Sequence, residues 1–179
     1  KSPISNHPFD KWGIVVGQDK HFKLWMVGQA GGREVTDTSV PQTAARELLE
    51  ETGGYMKVSS QTISQLPYIY GEKKQLFVLK TNSTSLAANI KQSVQAAQKN
   101  PKLNRHFKEI DDITVVSINN FLRLAQKLDQ NKLQPHQFTV KAQDGKVITL
   151  QSSYTKIFGH KFNHNQYKYA QLLFQSLCK

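Results

Sequence analysis

The first apolar stretches of the chain predict a β-hairpin. The runs Gly13–Gly17 and Lys23–Val27 are rich in Val, Ile and Trp, and residues 18–21 between them are polar. Short apolar runs bounded by polar turn residues are typical of paired strands. Apolar runs of this length fall well below the ~20 residues of a membrane-spanning helix, so we expect no membrane partner.

A helix is predicted over residues 40–52. Ser39 has the hydroxyl of an N-cap residue, and Gln42 follows three positions later, as in a capping box. Pro41 is tolerated in a first helical turn. The glycine pair that begins at Gly53 is expected to end the helix, since glycine favours the position after a helical C-terminus.

The rest of the chain alternates between apolar runs and polar segments. Residues 81–106 are polar, with a weak helical stretch that stops at Asn100-Pro101, and are predicted to form an insertion on the surface. The segment Gln143-Asp144-Gly145 separates two apolar runs and is a strong hairpin signal. The further predicted elements are strands at Tyr55–Ser64, Gln75–Lys80, Ile113–Ile118, Phe138–Lys141 and Lys146–Leu150, and helices near Leu86–Gln98, Asn119–Leu128 and Asn163–Leu177.

This order of elements indicates an α/β or α+β class, with a mixed sheet flanked by helices. The 179 residues fit a single domain over 1–179, because two halves would each have a marginal core. Cys178 is the one cysteine, so no intrachain disulfide forms. This fits a reducing compartment, and we expect a cytoplasmic location.

The net charge narrows the expected partners. The chain carries 24 Lys and Arg against 13 Asp and Glu, a formal charge of +11. Such a surface attracts polyanions such as nucleic acid, polyphosphates and inositol phosphates, although it also serves solubility alone. An acidic cluster in the predicted helix stands out against this background.

The predicted helix separates its apolar and acidic residues. At 100° per residue, Ala44, Ala45, Leu48 and Leu49 fall in one arc and are expected to pack on the core. The opposite arc gathers three carboxylates, with Arg46 at its edge. A solvated acidic face is the ordinary interpretation. Clustered carboxylates also suit a hard cation such as Mg²⁺, which takes oxygen ligands. The three acids are Glu47, Glu50 and Glu51.

At these residues the chain resembles the Nudix family. The Nudix box runs Gly, five residues, Glu, seven residues, then Arg-Glu-apolar-any-Glu-Glu-any-Gly-apolar, and Gly31–Gly54 follows this pattern. The segment Arg46–Gly53, with sequence RELLEETG, matches its second half at every defined position. The last apolar position is instead Gly54, followed by Tyr55.

The first half of the box departs from the family. Its glutamate position falls on Thr38 when counted from Gly32, and on Asp37 when counted from Gly31. In the family this glutamate typically pairs with the box arginine. We therefore expect Asp37 or Glu34 to substitute for it.

The resemblance implies an α/β/α sandwich and a pyrophosphohydrolase that depends on Mg²⁺ or Mn²⁺. It implies that Arg46 orients the carboxylates and that a glutamate, either Glu50 in the box or Glu109 in a later loop, acts as general base. An ordinary solvated acid is the alternative for Glu109. The implied metal ligands are Glu47, Glu50, Glu51 and the backbone carbonyl of Gly32 or Gly31.

Substrate choice rests on a second stretch. Related enzymes that act on dinucleoside polyphosphates or RNA 5′ ends have a similar aromatic and lysine-rich segment. Lysines there hold distal phosphates and an aromatic ring stacks on a base, although Phe77 as a core residue is the simpler alternative. Diphosphoinositol polyphosphates and ADP-ribose or nucleotide sugars remain alternative substrates. The stretch comprises Tyr68, Tyr70, Lys73, Lys74 and Phe77.

The altered box and the positive charge also fit a catalytically weak module that binds RNA or a protein. Lysines and arginines of the predicted insertion are candidate RNA contacts, with a solvated face as the alternative. His160 and His164 have the i,i+4 spacing of a metal-binding helix, but no third ligand is evident. Trp12 and Phe22 are candidate stacking residues, for which hairpin packing is the simpler interpretation. The basic residues of the insertion are Lys91, Lys99, Lys102, Arg105 and Lys108.

Overall fold

The computed structural model describes residues 11–27, 34–71, 74–130, 138–151, 172 and 174–178. It has an α+β architecture of helices and antiparallel strands. None of the described helices is long and apolar enough to cross a bilayer. In chain order the elements are β1 (Gly13–Asp19), β2 (Trp25–Val27), α1 (Val40–Glu51), α2 (Ser60–Ser64), β3 (Tyr68–Gly71), β4 (Lys74–Phe77), α3 (Leu86–Lys99), a 3₁₀ turn (Arg105–Lys108), β5 (Ile110–Ser117), α4 (Ile118–Gln130), β6 (Thr139–Lys141) and β7 (Val147–Thr149).

The main sheet has the strand order β2-β1-β5. The predicted hairpin is confirmed, since β1 pairs antiparallel with β2, with Gly17 opposite Met26. β1 also pairs antiparallel with β5, and the register shifts at Gln18/Asp19. A mixed sheet was expected, but every described ladder is antiparallel. The one parallel pairing in the described part of the chain is an isolated bridge between Trp25 and Leu150, outside these ladders.

Side chains alternate between the two faces of this sheet, as the period of two requires. Val16 and Val116 point into a core shared with α4 and the β6–β7 hairpin. Ile113 and Met26 point into a second core, shared with α3. The shift in register near Asp19 lets Ile110 face the second core together with Ile113. The sheet is therefore covered on both faces.

The helix α3 corrects the expectation that residues 81–106 lie on the surface. The predicted helix forms and ends at Asn100 as expected, but its residues Ile90, Val94 and Ala97 are buried. They face β5, to which α3 packs closely. The segment looked like an insertion because only every third or fourth residue of α3 is apolar and large, which suffices for one buried stripe.

Of three other predicted elements, one is wrong, one is confirmed and one lies mostly outside the described residues. The strand predicted at Tyr55–Ser64 is wrong, because Ser59 caps the short helix α2 there. The β6–β7 hairpin is confirmed, and Gly145 adopts a φ of +87° in its turn. His160 and His164 lie outside the described residues, as does most of the predicted last helix. Leu172 and residues 174–177 are helical, and Phe174 packs on the core.

Helix α1 begins and ends as its sequence predicts. The Ser39 side chain accepts a hydrogen bond from the backbone N–H of Gln42, at 3.2 Å. The Gln42 side chain accepts from the backbone N–H of Thr38 at 2.6 Å, one residue before the position that a capping box uses. At the other end Gly53 has a φ of +62°, the left-handed conformation that glycine adopts without a Cβ clash.

Replacing Gly53 by Ala is expected to destabilise the fold by about 3 kcal/mol or more, since strain at positive φ and overpacking add together. A Cβ on Gly53 would lie 2.7 Å from the backbone oxygen of Ser93 in α3. The matched control is Gly54→Ala, which has the same strain at a φ of +87° but meets only Phe107 at 4.0 Å, and should cost about 1–2 kcal/mol. Urea unfolding measures both, and equal losses would contradict the close approach of α1 and α3.

Candidate active site

Arg46 is the centre of a network of carboxylates on α1. Its Nε and Nη2 atoms donate to both oxygens of Asp37, at distances from 2.9 to 3.3 Å. Asp37 also accepts from the Thr43 hydroxyl at 3.1 Å and from the backbone N–H of Glu34 at 2.8 Å. Its side chain is only 3% exposed. Between the two proposed substitutes for the box glutamate, Asp37 is therefore the residue that binds Arg46 directly.

The remaining guanidinium nitrogen joins two acids of the same helix. Arg46 Nη1 donates to Glu47 Oε1 at 3.0 Å and to Glu50 Oε2 at 3.2 Å. It also lies 3.5 Å from Glu34 Oε1, at the edge of the network. A single planar cation thus balances several carboxylates, a role that the fork geometry of arginine suits.

The acidic face of α1 is buried, which corrects the expectation that its apolar arc alone faces the core. Glu47, Glu50 and Glu51 are the buried residues of the helix, whereas the apolar arc is half-buried. The helix packs on α2 and on the 3₁₀ turn. Ionised carboxylates are almost never buried unless they are paired, and the interpretation as a solvated acidic face is therefore wrong.

The pKa values of these acids are shifted in two directions. Removal from water raises the pKa of Glu47, although the neighbouring Arg46 charge opposes the rise. Desolvation likewise raises the pKa of Glu50. By contrast, the hydrogen bonds from Arg46, with that from the Glu34 backbone, lower the pKa of Asp37 from 3.8 to about 2. The cluster therefore holds negative charge that a further cation would stabilise.

Glu51 is the third buried acid of α1. It lines a cavity of about 60 Å³ between α1, α3 and the sheet. Within the described part of the chain, no group of three or more His, Cys, Asp or Glu side chains is arranged to hold a metal ion. Arg46 Nη1 bridges Glu47 and Glu50. The other residues lining the cavity are Val15, Gly17, Met26, Thr52, Ile90, Ile110 and Ile113.

Oxygen donors of this kind fit a divalent cation in chemistry and burial. Glu47 and Glu50 are carboxylates, the ligands that Mg²⁺ and Mn²⁺ prefer, and their charged forms are under-compensated in this environment. Asp37 keeps Arg46 anchored independently of those two acids. The carboxylates that lie together at Arg46 are Glu47 and Glu50, and the third predicted ligand, Glu51, lines the cavity.

The later-loop acid comes close to the helix. The charge of Glu109 contributes to the raised pKa values of both Glu47 and Glu50. Its Oε1 lies 3.2 Å from Nδ1 of His106. Sequence reasoning missed His106, although its i,i+3 spacing to Glu109 on a helical turn was a usable signal.

The predicted substrate stretch is described only in part. Gly32 and Lys73 lie outside the described residues, as do the side chains of Tyr70 and Lys74. Phe77 is half-buried and its ring makes a tilted contact with Tyr68, with centroids 6.2 Å apart.

The two candidate stacking residues at the hairpin differ from each other. Trp12 is partly buried and packs against the core that includes α4, as its simpler interpretation predicts. Phe22 is 80% exposed at the β1–β2 turn, so its expected packing in the hairpin is wrong.

Comparison of the chain with protein-family models, with curated proteins and with solved structures finds no match. The function is therefore inferred from the side chains of the site.

The opposed pKa shifts predict a distinctive pH dependence of stability. Because the folded-state pKa of Asp37 is lowered to about 2, its stabilisation is complete above its ordinary value of 3.8 and is lost as pH falls toward 2. Glu47 has a raised pKa, so its ionisation destabilises the metal-free protein progressively as pH rises above its ordinary value of 4.5.

Thermal melting between pH 2 and pH 8 measures both effects. The deficit of Asp37→Asn relative to wild type should grow between pH 2 and pH 4. The advantage of Glu47→Gln should grow above pH 4.5. A deficit of Asp37→Asn that is constant with pH would contradict its pairing with Arg46.

Proposed function

We propose that this chain is a pyrophosphohydrolase of Nudix type that depends on Mg²⁺ or Mn²⁺ and cleaves a nucleoside-diphosphate-linked substrate, with a Nudix-like α/β/α sandwich as its fold. The single observation that carries the proposal is the burial of the acidic face of α1 around Arg46. Burying ionised glutamates destabilises the fold. A hydrolytic metal site explains why the chain buries them. The box-like segment Arg46–Gly53 supports the same conclusion.

Each residue has a role in this proposal. A bound Mg²⁺ or Mn²⁺ supplies neutralisation of phosphate charge and a lowered pKa of the attacking water. Glu47, Glu50 and Glu51 provide its oxygen ligands, and Arg46, held by Asp37, orients Glu47 and Glu50. Water forms a bond to one phosphorus as the bridging P–O bond of the anhydride breaks. The proton passes to a carboxylate.

Two carboxylates are candidates for the proton acceptor. The raised pKa of Glu50 suits a general base, because efficiency is highest when the pKa approaches the working pH. Glu109 is half-exposed to solvent, and its charge acts on the same helix. Both Glu50 and Glu109 stay candidates, and variants of each residue distinguish between them.

A substrate panel tests the proposal. It contains a dinucleoside polyphosphate, 5′-triphosphorylated RNA, a diphosphoinositol polyphosphate and ADP-ribose, each with Mg²⁺ or Mn²⁺, with products identified by mass spectrometry. We expect turnover of at least one substrate only with the cation, and its loss in Glu50→Gln and Glu51→Gln. Equal hydrolysis by all three proteins would show that these roles are wrong. Titration with Mn²⁺ by calorimetry reads the site without turnover.

The second candidate is a non-catalytic module that binds RNA. It is favoured by residues 73–108, which contain no Asp or Glu and eight Lys or Arg. Arg105 and Lys108 of this stretch lie in the 3₁₀ turn beside α1. This function predicts RNA binding that weakens steeply with salt and no turnover of any panel member. Cation-dependent turnover that the glutamate variants abolish would reject it.

A further inference from the structure

The 3₁₀ turn places a histidine ring between two carboxylates that are far apart in sequence. His106 Nδ1 lies 3.2 Å from Glu109 Oε1, and Nε2 lies 3.9 Å from Glu34 Oε1. An ionised carboxylate has no proton to donate, so the hydrogen bond to Glu109 requires the proton on Nδ1. The second contact, to Glu34, is too long for a hydrogen bond. His106 thus faces both the later-loop acid and the loop before α1.

The backbone of the turn is itself held in place. The Asn104 side chain accepts from the backbone N–H of His106 at 3.0 Å. Gln98 of α3 donates through Nε2 to the backbone oxygens of Lys108 and Ile110, both at 2.9 Å. Because α3 is packed on the sheet, this connection fixes the histidine relative to the core.

Glu109 depends on this histidine for its position. Its side chain is 44% exposed, and within the described residues its only side-chain hydrogen bond is to His106. An exposed glutamate without a partner samples many rotamers. The charge of Glu109 nevertheless acts on Glu47 and Glu50, so its placement affects the whole cluster.

We propose that His106 is a positioning residue of this site and acts through Glu109, which it holds toward the carboxylates of α1. The proposal rests on the proposed hydrolytic function, with Glu109 as the carboxylate that receives the proton from water. His106 itself does not touch the reacting atoms. The ring also closes a chain of contacts through Glu34 to Arg46, whose Nη1 lies 3.5 Å from Glu34 Oε1.

Two conservative variants separate the ring nitrogens. The amide nitrogen of asparagine occupies the place of Nδ1, and that of glutamine the place of Nε2. His106→Asn should therefore keep kcat within about threefold of wild type, since it keeps the donor to Glu109. His106→Gln and His106→Ala should lower kcat about tenfold, the loss typical of removing a supporting hydrogen bond, with KM unchanged. A loss of kcat in His106→Asn equal to that in His106→Ala would overturn the proposal.

A double-mutant cycle tests whether the histidine acts through Glu109. In a Glu109→Gln background, adding His106→Ala should lower kcat by less than twofold, because residues that act as a unit are not additive. An additional tenfold loss would show an independent role and overturn the proposal. His21→Asn, at the exposed β1–β2 turn, is the matched control and should leave kcat unchanged.

A readout without turnover distinguishes this proposal from the proposed function. Long-range ¹H–¹⁵N NMR spectra of the metal-free protein report the tautomer of each of the six histidines, and the signal missing in His106→Asn belongs to His106. We expect the Nδ1–H tautomer in wild type and a shift toward Nε2–H in Glu109→Ala, which removes the acceptor. An unchanged tautomer in Glu109→Ala would refute the positioning role, because alanine leaves no side-chain acceptor for Nδ1–H. Absence of turnover on every panel substrate would refute only the hydrolytic function.

Discussion

Replacing Glu50 by Gln is expected to lower cation-dependent turnover by about 10²–10⁴-fold, because Glu50 is a proposed cation ligand and one of the two candidate general bases, and at the same time to raise the melting temperature of the metal-free protein. Both effects have one cause. The environment of Glu50 disfavours its charged form, since desolvation raises its pKa more than Arg46 lowers it. Glutamine has the same shape without the charge. It therefore removes the free-energy cost of burying the Glu50 carboxylate, and it also removes the ability to bind a cation or accept a proton.

The opposite signs make this prediction specific. Initial rates with Mn²⁺ measure the first effect, and melting in EDTA at pH 7 measures the second. Asp144→Asn is a suitable control, because it removes one negative charge from the exposed β6–β7 turn while asparagine keeps the acceptor that bonds to the N–H of Lys146. A melting temperature of Glu50→Gln below that of wild type would contradict the charge balance described for the cluster.

Replacing Arg46 by Gln is expected to destabilise the protein by about 2–4 kcal/mol at pH 7, near the loss measured when one partner of a buried ion pair is removed. The change leaves Asp37, Glu47 and Glu50 without the cation that joins them. For a chain of this length the loss corresponds to roughly 5–15 °C in melting temperature. The stability of Arg46→Lys should fall between that of wild type and that of Arg46→Gln, because one ammonium group cannot reproduce the forked contacts.

Two conditions should reduce this loss. Saturating Mg²⁺ should restore part of the stability of Arg46→Gln, since a second cation then neutralises Glu47 and Glu50. Lowering the pH to 5 should do the same, because both acids already have raised pKa values and take up protons more readily when folded. Arg123→Gln, on an exposed position of α4, is the control. If Arg46→Gln has the same melting temperature as wild type, the network does not contribute to the stability of the fold.

Local patterns in the sequence determined most of the elements. The β1–β2 hairpin, the caps of α1, the end of α3 at Asn100 and the β6–β7 turn all follow from signals within a few residues of each other. The strand predicted at Tyr55–Ser64 failed for a local reason as well, because Ser59 caps a helical turn whose donor Thr62 lies only three residues on.

The candidate site was predictable only in part. The spacing of Glu47, Glu50 and Glu51 on one arc follows from helical geometry, and Asp37 was one of two expected partners of Arg46. The choice between Asp37 and Glu34 was not determined by spacing. It depends on the turn that connects their backbones, in which Asp37 becomes buried and Glu34 stays half-exposed.

The sequence by itself determined which residues share a strand, a turn or a helical face, because those relations depend on neighbours along the chain. Only the tertiary structure decided that the acidic face of α1 is buried, that α3 belongs to the core and that His106 meets Glu109 beside that face. These outcomes depend on which elements pack against one another. A periodic pattern identifies a face but does not specify what covers it, and here packing against neighbouring elements buries a face of α1 that composition alone assigns to water.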